Sequence, residues 1–390
     1  MMISAILTWD TWQFWRFEER RVFIGMLVLT YITGLFIGHR VLGFARADFF
    51  VAVFMSVSVS FLLAVTILAF GRFYYSRSFL LFAYLITLTW HILGWWLFSR
   101  RTLRLVLVPG GLNHQLSELP GVQWITISHP DNDLDADSIV IDPHTMTTPN
   151  WIRFVAENSL RGRSVFHAAA VYEALTGRIS LEHHSEGWLE NLSLPPVYPS
   201  IKRILDVCAV LITLPIILPL LGLVALLIRV DSSGAILFWQ NRMGQSGRPF
   251  WMVKFRTMRI DSEQDGAQFA ADDDPRITPL GRFLRKFRLD ELPQFWNVLR
   301  GEMSLIGPRP EQVTFAEGFA SEIPLYPYRH LVKPGLTGWA QVNQGYAADS
   351  GETRIKLSYD LYYVKNVSIW LDVLIVLKTL RTIVTGFGAR

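Results

Sequence analysis

The run "ILDVCAVLITLPIILPLLGLVALLI", Ile204 to Ile228, limits what this chain can fold into more than any other stretch. It is long and apolar enough to cross a bilayer, with Asp206 as its one charge and Lys202, Arg203 and Arg229 at its ends. Pro215 and Pro219 sit near its middle. Each removes a backbone donor and its ring opposes the preceding turn, so a break in mid-membrane is expected. Two readings stay open. A proline-kinked span is tolerated in membranes and would put the flanking parts of the chain on opposite sides. A re-entrant hairpin would return both ends to one face, which the basic residues at both ends favour.

A hydrophobic content of 51% over 390 residues is too oily for an ordinary soluble enzyme. The excess is concentrated near the start. Residues 22–37, 49–70 and 79–98 each meet the length and polarity test for a transmembrane helix, the first only marginally in length. Ahead of them, "WDTWQFWRFEERR" sets Trp9, Trp12, Trp15 and Phe17 beside charges, as an interfacial aromatic belt would and a cleavable signal would not. The flanking arginines divide evenly, so the positive-inside rule does not orient these helices. The single cysteine, Cys208, lies in the apolar run, excludes an intramolecular disulfide and reads as a small buried hydrophobe. A net charge of +4, with basic residues crowding the C-terminal half, suits anionic headgroups or phosphorylated substrates. No nucleic-acid module is legible.

From Leu103 the period changes. "LRLVLVPGG", "VQWITIS" and "DSIVIDP" are short β-rich runs, separated by candidate helices at Leu112 to Leu119 and Trp151 to Ser159. The alternation predicts a small parallel α/β sheet. The turn Pro109-Gly110-Gly111 follows the first strand as a nucleotide-binding loop would, yet the G-x-G-x-x-G spacing is absent, so a structural or regulatory Rossmann-like domain is the plainer reading. A proline-rich linker, "LSLPPVYPS", closes this part near Ser200.

Beyond the apolar run comes "FWQNRMGQSGRPFWMVKFRTMRIDSE", in which strand alternation would direct Lys254 and Arg256 to one face. Two cations on one face suit a diphosphate, and a solvated basic edge strand is the plainer alternative. In "RLDELPQFWNVLRG", Pro293 is tolerated only in a first helical turn, which puts Asp290 at the N-cap and Glu291 at the first helical position. Capping alone would explain this pair. A helix N-terminus also attracts phosphate, and Arg282, Arg285, Lys286 and Arg288 stand just upstream. A carboxylate attacking phosphorus needs such surroundings, with Mg²⁺ to neutralise the substrate; Asp290 then is the nucleophile and Glu291 stands beside the metal. Downstream, Pro308-Arg309-Pro310 holds an arginine on a stiff backbone.

Residues 201–385 resemble the bacterial sugar transferase family, the monotopic polyprenyl-phosphate hexose-1-phosphate transferases. The resemblance lies in the proline-bearing apolar segment, "QNRMG", "KFRTM", "DPRITPLGRFLRKFRLDELPQFWNVLRGEMSLIGPRP", "RHLVKPGLTGWAQVNQ" and "YDLYYVKNVSIWLD". The N-terminal half resembles the larger members, which start exopolysaccharide or O-antigen repeat units. The resemblance implies a ping-pong reaction: Asp290 attacks the β-phosphate of a UDP-sugar, UMP leaves, and polyprenyl (undecaprenyl) phosphate collects the phosphosugar. It implies Mg²⁺ held by Glu291 and Asp290, and Lys254, Arg285 and Arg309 on the phosphates or the uridine. It also implies a multi-pass protein of the bacterial inner membrane with its catalytic domain on the cytoplasmic face.

The implied fold is a mixed membrane protein: transmembrane α-helices over 1–100, a Rossmann-like α/β domain over 101–195, and a C-terminal α+β catalytic domain over 196–390. That last domain carries a re-entrant membrane helix-break-helix at 204–228. Two departures from the family pattern stand out. Leu218 replaces the usual serine before Pro219, so the break rests on the pair Pro215 and Pro219; and three N-terminal spans are found where larger members often have about four. A non-catalytic membrane scaffold or sensor and a UDP-releasing glycosyltransferase remain as alternatives. A transporter is disfavoured because the N-terminal spans lack paired intramembrane charges. Homo-oligomerisation is left open. In the C-terminal "IWLDVLIVLKTLRTIV", helical spacing of the apolar residues fits either an interfacial helix or a packing helix.

Overall fold

The computed structural model describes residues 8, 18–42, 49–98, 103–130, 136–142, 148–181, 196–259, 274–344 and 350–385. The tryptophan-rich segment at 9–15 lies outside them, as do the first four residues, 192–195, of the proline-rich linker. The chain divides into two compact units, Met1–Gly177 and Arg178–Arg390.

Among the described residues the first unit carries three long helices, α1 (Glu18–Leu42), α2 (Phe49–Phe70) and α3 (Arg77–Phe98), over the three apolar runs. Phe23 and Leu27 of α1, Val53, Val57, Phe61 and Leu68 of α2, and Phe79 and Leu80 of α3 form their shared core. Gly34 of α1 faces Ser56 and Ser60 of α2, where an added Cβ would make only ordinary contact, 3.5 Å from the Ser60 hydroxyl. That hydroxyl is satisfied within its own helix by the Ser56 carbonyl. Leu29, Ile32, Leu62, Leu63, Phe70 and Leu81 point outward and stay exposed. Helices apolar on both faces suit a lipid surround. Among the described residues, two helices are long and apolar enough to cross a membrane by length and composition: α3, at Arg77–Gly94, and the segment Tyr198–Asp231.

The α/β part runs β1 (Leu103–Leu107), α4 (Asn113–Ser117), β2 (Val122–Thr126), β3 (Ser138–Ile141), α5 (Pro149–Leu160), β4 (Ser164–His167) and α6 (Ala168–Thr176). Its strands are parallel in the order β2-β1-β3-β4. The apolar run of β1 is explained by burial on both faces. Leu105 and Leu107 pack with Leu112, Leu116 and Tyr172, while Val106 packs with Ile139 and Phe154. In the glycine turn, the Gly111 N–H donates to the Asp142 carboxylate at 3.2 Å.

The second unit begins with α7 (Tyr198–Asp231), which contains the opening run. Here the expected helix-break-helix is corrected, because α7 is helical from end to end with Pro215 and Pro219 inside it. Prolines four apart stack on one face at 3.6 residues per turn, so the missing bonds fall on that face and the rest of each turn persists. The opposite face carries Asp206, Val210, Val224 and Ile228, the buried residues of the helix. A proline bend opens the helix on the proline side, here the side away from the catalytic unit. Cys208 is exposed, contrary to the buried reading, because it lies off the buried stripe. Straight, such a helix would run about 50 Å. Both its ends nevertheless pack on one unit: Lys202 pairs with Asp372 at 2.5 Å, the Leu305 N–H donates to Asp206 at 3.2 Å, and Arg256 donates to Ser232 just past the far end.

The remainder comprises the antiparallel hairpin β5 (Leu237–Met243) and β6 (Pro249–Phe255), α8 (Pro279–Lys286), a 3₁₀ turn at Leu289–Gln294, α9 (Phe295–Arg300), β7 (Ser304–Ile306), α10 (Val313–Glu322), a 3₁₀ turn at Tyr326–Leu331, β8 (Gly335–Thr337), α11 (Trp339–Asn343), α12 (Ser350–Lys365) and α13 (Ile369–Thr385). α13 is the packing helix of the two readings, with Leu371, Leu374 and Ile375 fully buried and Lys378 donating to Asn343 over the Trp339 ring.

Candidate active site

The local sequence builds the site from three directions. The first is β6, whose pairing with β5 ends at Phe255 opposite Leu237. Lys254, the residue before, lies over the Phe238 ring at 5.0 Å. Asn297 of α9 ties this strand to the helix below, accepting from the Val253 N–H and donating to the Trp251 carbonyl.

The second is α8, started by Thr278 as N-cap, whose hydroxyl accepts from the Gly281 N–H, and by Pro279 at the first position. Its approach to the end of β6 is very close, since a Cβ on Gly281 would stand 2.1 Å from the Thr257 carbonyl oxygen. That contact lets Arg285 reach back and donate from Nε to the Thr257 hydroxyl at 2.9 Å. Gly281→Ala is therefore expected to lower the thermal midpoint, at a cost of about 3 kcal/mol from overpacking against backbone, and to reduce turnover by shifting Arg285. Melts and activity measured on one preparation check this. An unchanged melt would mean that α8 can move freely.

The third is the turn at Leu289–Gln294. The N-cap reading of Asp290 is corrected here: the residue preceding the helical turn is Arg288, in the left-handed conformation at φ 54°, and Asp290 and Glu291 lie inside a 3₁₀ turn. A non-glycine residue in that region carries strain of about 1 to 3 kcal/mol, and such strain clusters at functional sites. Both carboxylates are buried.

The two carboxylates differ. Glu291 accepts from Arg309 Nη2 at 2.7 Å and lies 3.4 Å from Arg288 Nη1, both at Oε1. Burial would raise its carboxyl, but Arg309 and Arg288 hold it below the ordinary range. The Asp290 carboxylate has no hydrogen-bond or ion-pair partner among the described residues. Burial, then the charge of Glu291, pushes it above the usual carboxylate range, opposed by Lys254, Arg285 and Arg309. Lys254 is itself pushed down to about 8, by burial and then by Arg242. One carboxylate is thus clamped and its neighbour is unengaged, within reach of the same cations.

Pro308-Arg309-Pro310 is held at every carbonyl. Pro308 accepts from the Gly335 N–H at 3.0 Å, Arg309 from Arg329 Nη2 at 2.9 Å and Pro310 from Arg242 Nη1 at 3.0 Å. Gly307 permits this crossing, since a Cβ there would meet the Lys333 carbonyl oxygen at 2.4 Å. Arg329 and Arg242, with no role read from sequence beyond their motifs, are supports found only in the fold. Arg256 goes elsewhere. Its Nη2 donates to the Ser232 carbonyl and hydroxyl at 2.9 and 2.8 Å, at the end of α7. The structure thus brings together Lys254, Arg285, Asp290, Glu291 and Arg309, and separates Arg256 from them.

No group of three acidic, histidine or cysteine side chains gathers among the described residues. Mg²⁺ does not require one, because it is commonly held by one or two carboxylates plus substrate phosphates. The donor set of Asp290 and Glu291 fits such a cation.

The candidate site is thus a pair of adjacent buried carboxylates with Lys254, Arg285 and Arg309 about them, on the unit that carries the long apolar helix α7. Residues 197–386 match the bacterial sugar transferase family. Along its whole length the chain is 43% identical, over 394 aligned residues covering 93% of that protein, to the UDP-N-acetylgalactosamine-undecaprenyl-phosphate N-acetylgalactosaminephosphotransferase of Aeromonas hydrophila. The UDP-glucose:undecaprenyl-phosphate glucose-1-phosphate transferase of Escherichia coli K12 is 40% identical over 46% of the chain and 39% of its own length. Its namesake from Caulobacter vibrioides is 41% identical over 48% of the chain and 71% of its own length. The chain belongs to the bacterial sugar transferase family.

Proposed function

We propose that this protein transfers a hexose-1-phosphate from a UDP-sugar to polyprenyl phosphate and releases UMP, the first step of a surface glycan. The observation that carries the reading is the unequal pair: a clamped Glu291 beside an unengaged Asp290, with the charges of Lys254, Arg285 and Arg309 all acting on Asp290. In this mechanism an Asp290 oxygen attacks the β-phosphorus, and the bond from that phosphorus to the bridging oxygen breaks, so UMP leaves with the oxygen. A phosphate oxygen of the polyprenyl acceptor then attacks the same phosphorus and breaks its bond to Asp290, which regains its carboxylate. Lys254, Arg285 and Arg309 hold the diphosphate and the charge that grows on the leaving UMP. Asp290 and Glu291 are the residues that would hold Mg²⁺, which supplies charge neutralisation to the phosphate oxygens. A retired scaffold would have no need of this pair.

Purified protein with Mg²⁺, polyprenyl phosphate and a panel of UDP-sugars tests the reading. UMP from one donor supports it, UDP means a conventional glycosyltransferase, and no nucleotide returns the scaffold. UDP-N-acetylgalactosamine is the first donor to try, because the relative that matches along the whole chain is named for it.

The acceptor is a lipid, so the site belongs at a membrane surface. The packing of both ends of α7 on one unit supports a re-entrant membrane segment with the catalytic unit on one side, and the apolar faces of the three N-terminal helices support a multi-pass reading. Cysteines placed at Ser200 and Ser232 are expected to label from the same face of sealed vesicles. Labelling from opposite faces would restore a spanning helix.

Lys254 gives a pH dependence with a definite sign. Its cationic form binds the diphosphate, and with a value of about 8 it is lost in the free enzyme as pH rises through that range. kcat/KM is expected to fall about tenfold per pH unit above it. Lys254→Arg stays charged and should remove this limb. A limb that persists unchanged assigns the titration to another group.

A further inference from the structure

The proposed reaction leaves one contact unexplained, the ion pair between Arg309 and Glu291. Arg309 Nη2 lies 2.7 Å from Glu291 Oε1, and Arg288 Nη1 reaches the same oxygen at 3.4 Å. Glu291 is buried, whereas the Arg309 side chain is 38% exposed and so open to a ligand. An arginine suited to a diphosphate is thus already engaged, and it is engaged on a carboxylate that a divalent cation would need. The two uses compete, because both guanidiniums take Oε1 and leave Mg²⁺ only Oε2, beside positive charge that repels it.

The backbone does not resolve the conflict. All three carbonyls of Pro308-Arg309-Pro310 are held, by the Gly335 N–H, Arg329 and Arg242. Only the side chain of Arg309 can turn. A diphosphate offers more charge and more oxygens than one carboxylate, and its planar match to a guanidinium draws that side chain away. Once it leaves, two adjacent buried carboxylates have lost a principal counter-charge, and their mutual repulsion favours a dication at the pair. Donor in, guanidinium across and cation in would keep the local charge nearly level.

We infer that Arg309 is a latch on Glu291: without donor it closes the cation site, and the diphosphate opens it, so Mg²⁺ enters with or after the nucleotide. The inference rests on the proposed function for the identity of the anion. Its thermodynamic content is a coupling between nucleotide and cation, and such a coupling is reciprocal.

The test is a titration of the full chain in lipid nanodiscs with Mn²⁺ as a stand-in for Mg²⁺, read by the paramagnetic resonance of the free ion. Without nucleotide, Arg309→Gln is expected to bind Mn²⁺ at least about tenfold more tightly than the wild type. Arg285→Gln removes a cation that acts on Asp290 but is tied to Thr257, and it should change the affinity by less than about threefold. The double variant Arg309→Gln/Glu291→Gln should lose the gain. Equal tightening in Arg309→Gln and Arg285→Gln would overturn the latch in favour of bulk charge, and so would an unchanged affinity in a folded Arg309→Gln.

If Arg309→Gln does not fold, the wild type with α,β-methylene-UDP, corrected for chelation by the free nucleotide, decides the matter. About tenfold tightening of Mn²⁺ supports the latch, and none overturns it. UMP release by the same wild-type preparation separates the two readings. Release without a gain in Arg309→Gln overturns the latch alone, and a gain without release keeps the latch and overturns the donor.

Discussion

Asp290→Asn is expected to reduce UMP release by at least about a thousandfold in kcat while leaving the protein folded and no less stable. The first half follows from chemistry, since an amide oxygen cannot form the phosphosugar ester. The second follows from linkage. The folded-state value of Asp290 is raised by burial and by Glu291, so the native state favours its protonated form and the ionised form costs stability at neutral pH. A neutral, equally sized side chain removes that cost, and the midpoint should hold or rise.

Glu291 has the opposite sign. Its folded-state value is lowered, with burial outweighed by Arg309 and Arg288, so it contributes stability above its unfolded value that is lost as pH falls through the folded one. Glu291→Gln should therefore lower the midpoint at neutral pH, because it weakens the ion pair with Arg309. Two neighbouring acid-to-amide changes thus move stability in opposite directions. Melts of both variants beside UMP assays check this. Turnover persisting in Asp290→Asn would remove Asp290 as the nucleophile, and a loss of stability there like that of Glu291→Gln would overturn the linkage argument.

How legible each part was depends on whether its cause is local. The runs at 22–37, 49–70 and 79–98 reappear as helices because length and apolarity are local properties. β1 to β3 were readable for the same reason. β4 was missed, because the four residues Ser164–His167 become a strand only through register with Ser138–Ile141. Asp290 and Glu291 could be picked out by their place before an apolar helix. Their turn was misjudged, because the left-handed Arg288 that begins it has no signature in residue type.

Arg256 was expected beside Lys254 on the alternation of β6. Its N–H still pairs with the Ile236 carbonyl at 2.9 Å, so the backbone keeps the strand register, but the guanidinium turns to Ser232 at the end of α7, a partner that spacing does not reveal. The close approach at Gly281 and the carbonyls held by Arg242 and Arg329 depend on residues far apart in the chain. Sequence spacing carries no information about such partners. For α7, composition marked the prolines as a break, and it could not say that their shared face would let the helix continue.

Arg329→Met is expected to be the most damaging single change outside the carboxylate pair. Arg329 and Asp360 are both 2% exposed, and Nε and Nη2 donate to one Asp360 oxygen at 3.1 and 2.7 Å. Nη1 also donates to the Tyr326 hydroxyl at 3.0 Å, and Nη2 to the Arg309 carbonyl. Truncation strands a buried carboxylate, and breaking such a pair costs about 3 to 5 kcal/mol, a large part of the stability of a typical domain. It also frees the backbone of Arg309, so activity should fall further than the fraction of unfolded protein explains. The double variant Arg329→Met/Asp360→Leu tells these effects apart. Replacing both charges with apolar groups should restore much of the melting midpoint, because no unpaired charge is then buried. It should not restore UMP release, because the Arg309 carbonyl still lacks its donor. Recovery of both together would make the pair a purely structural element, and recovery of stability alone would place Arg329 in the positioning of Arg309.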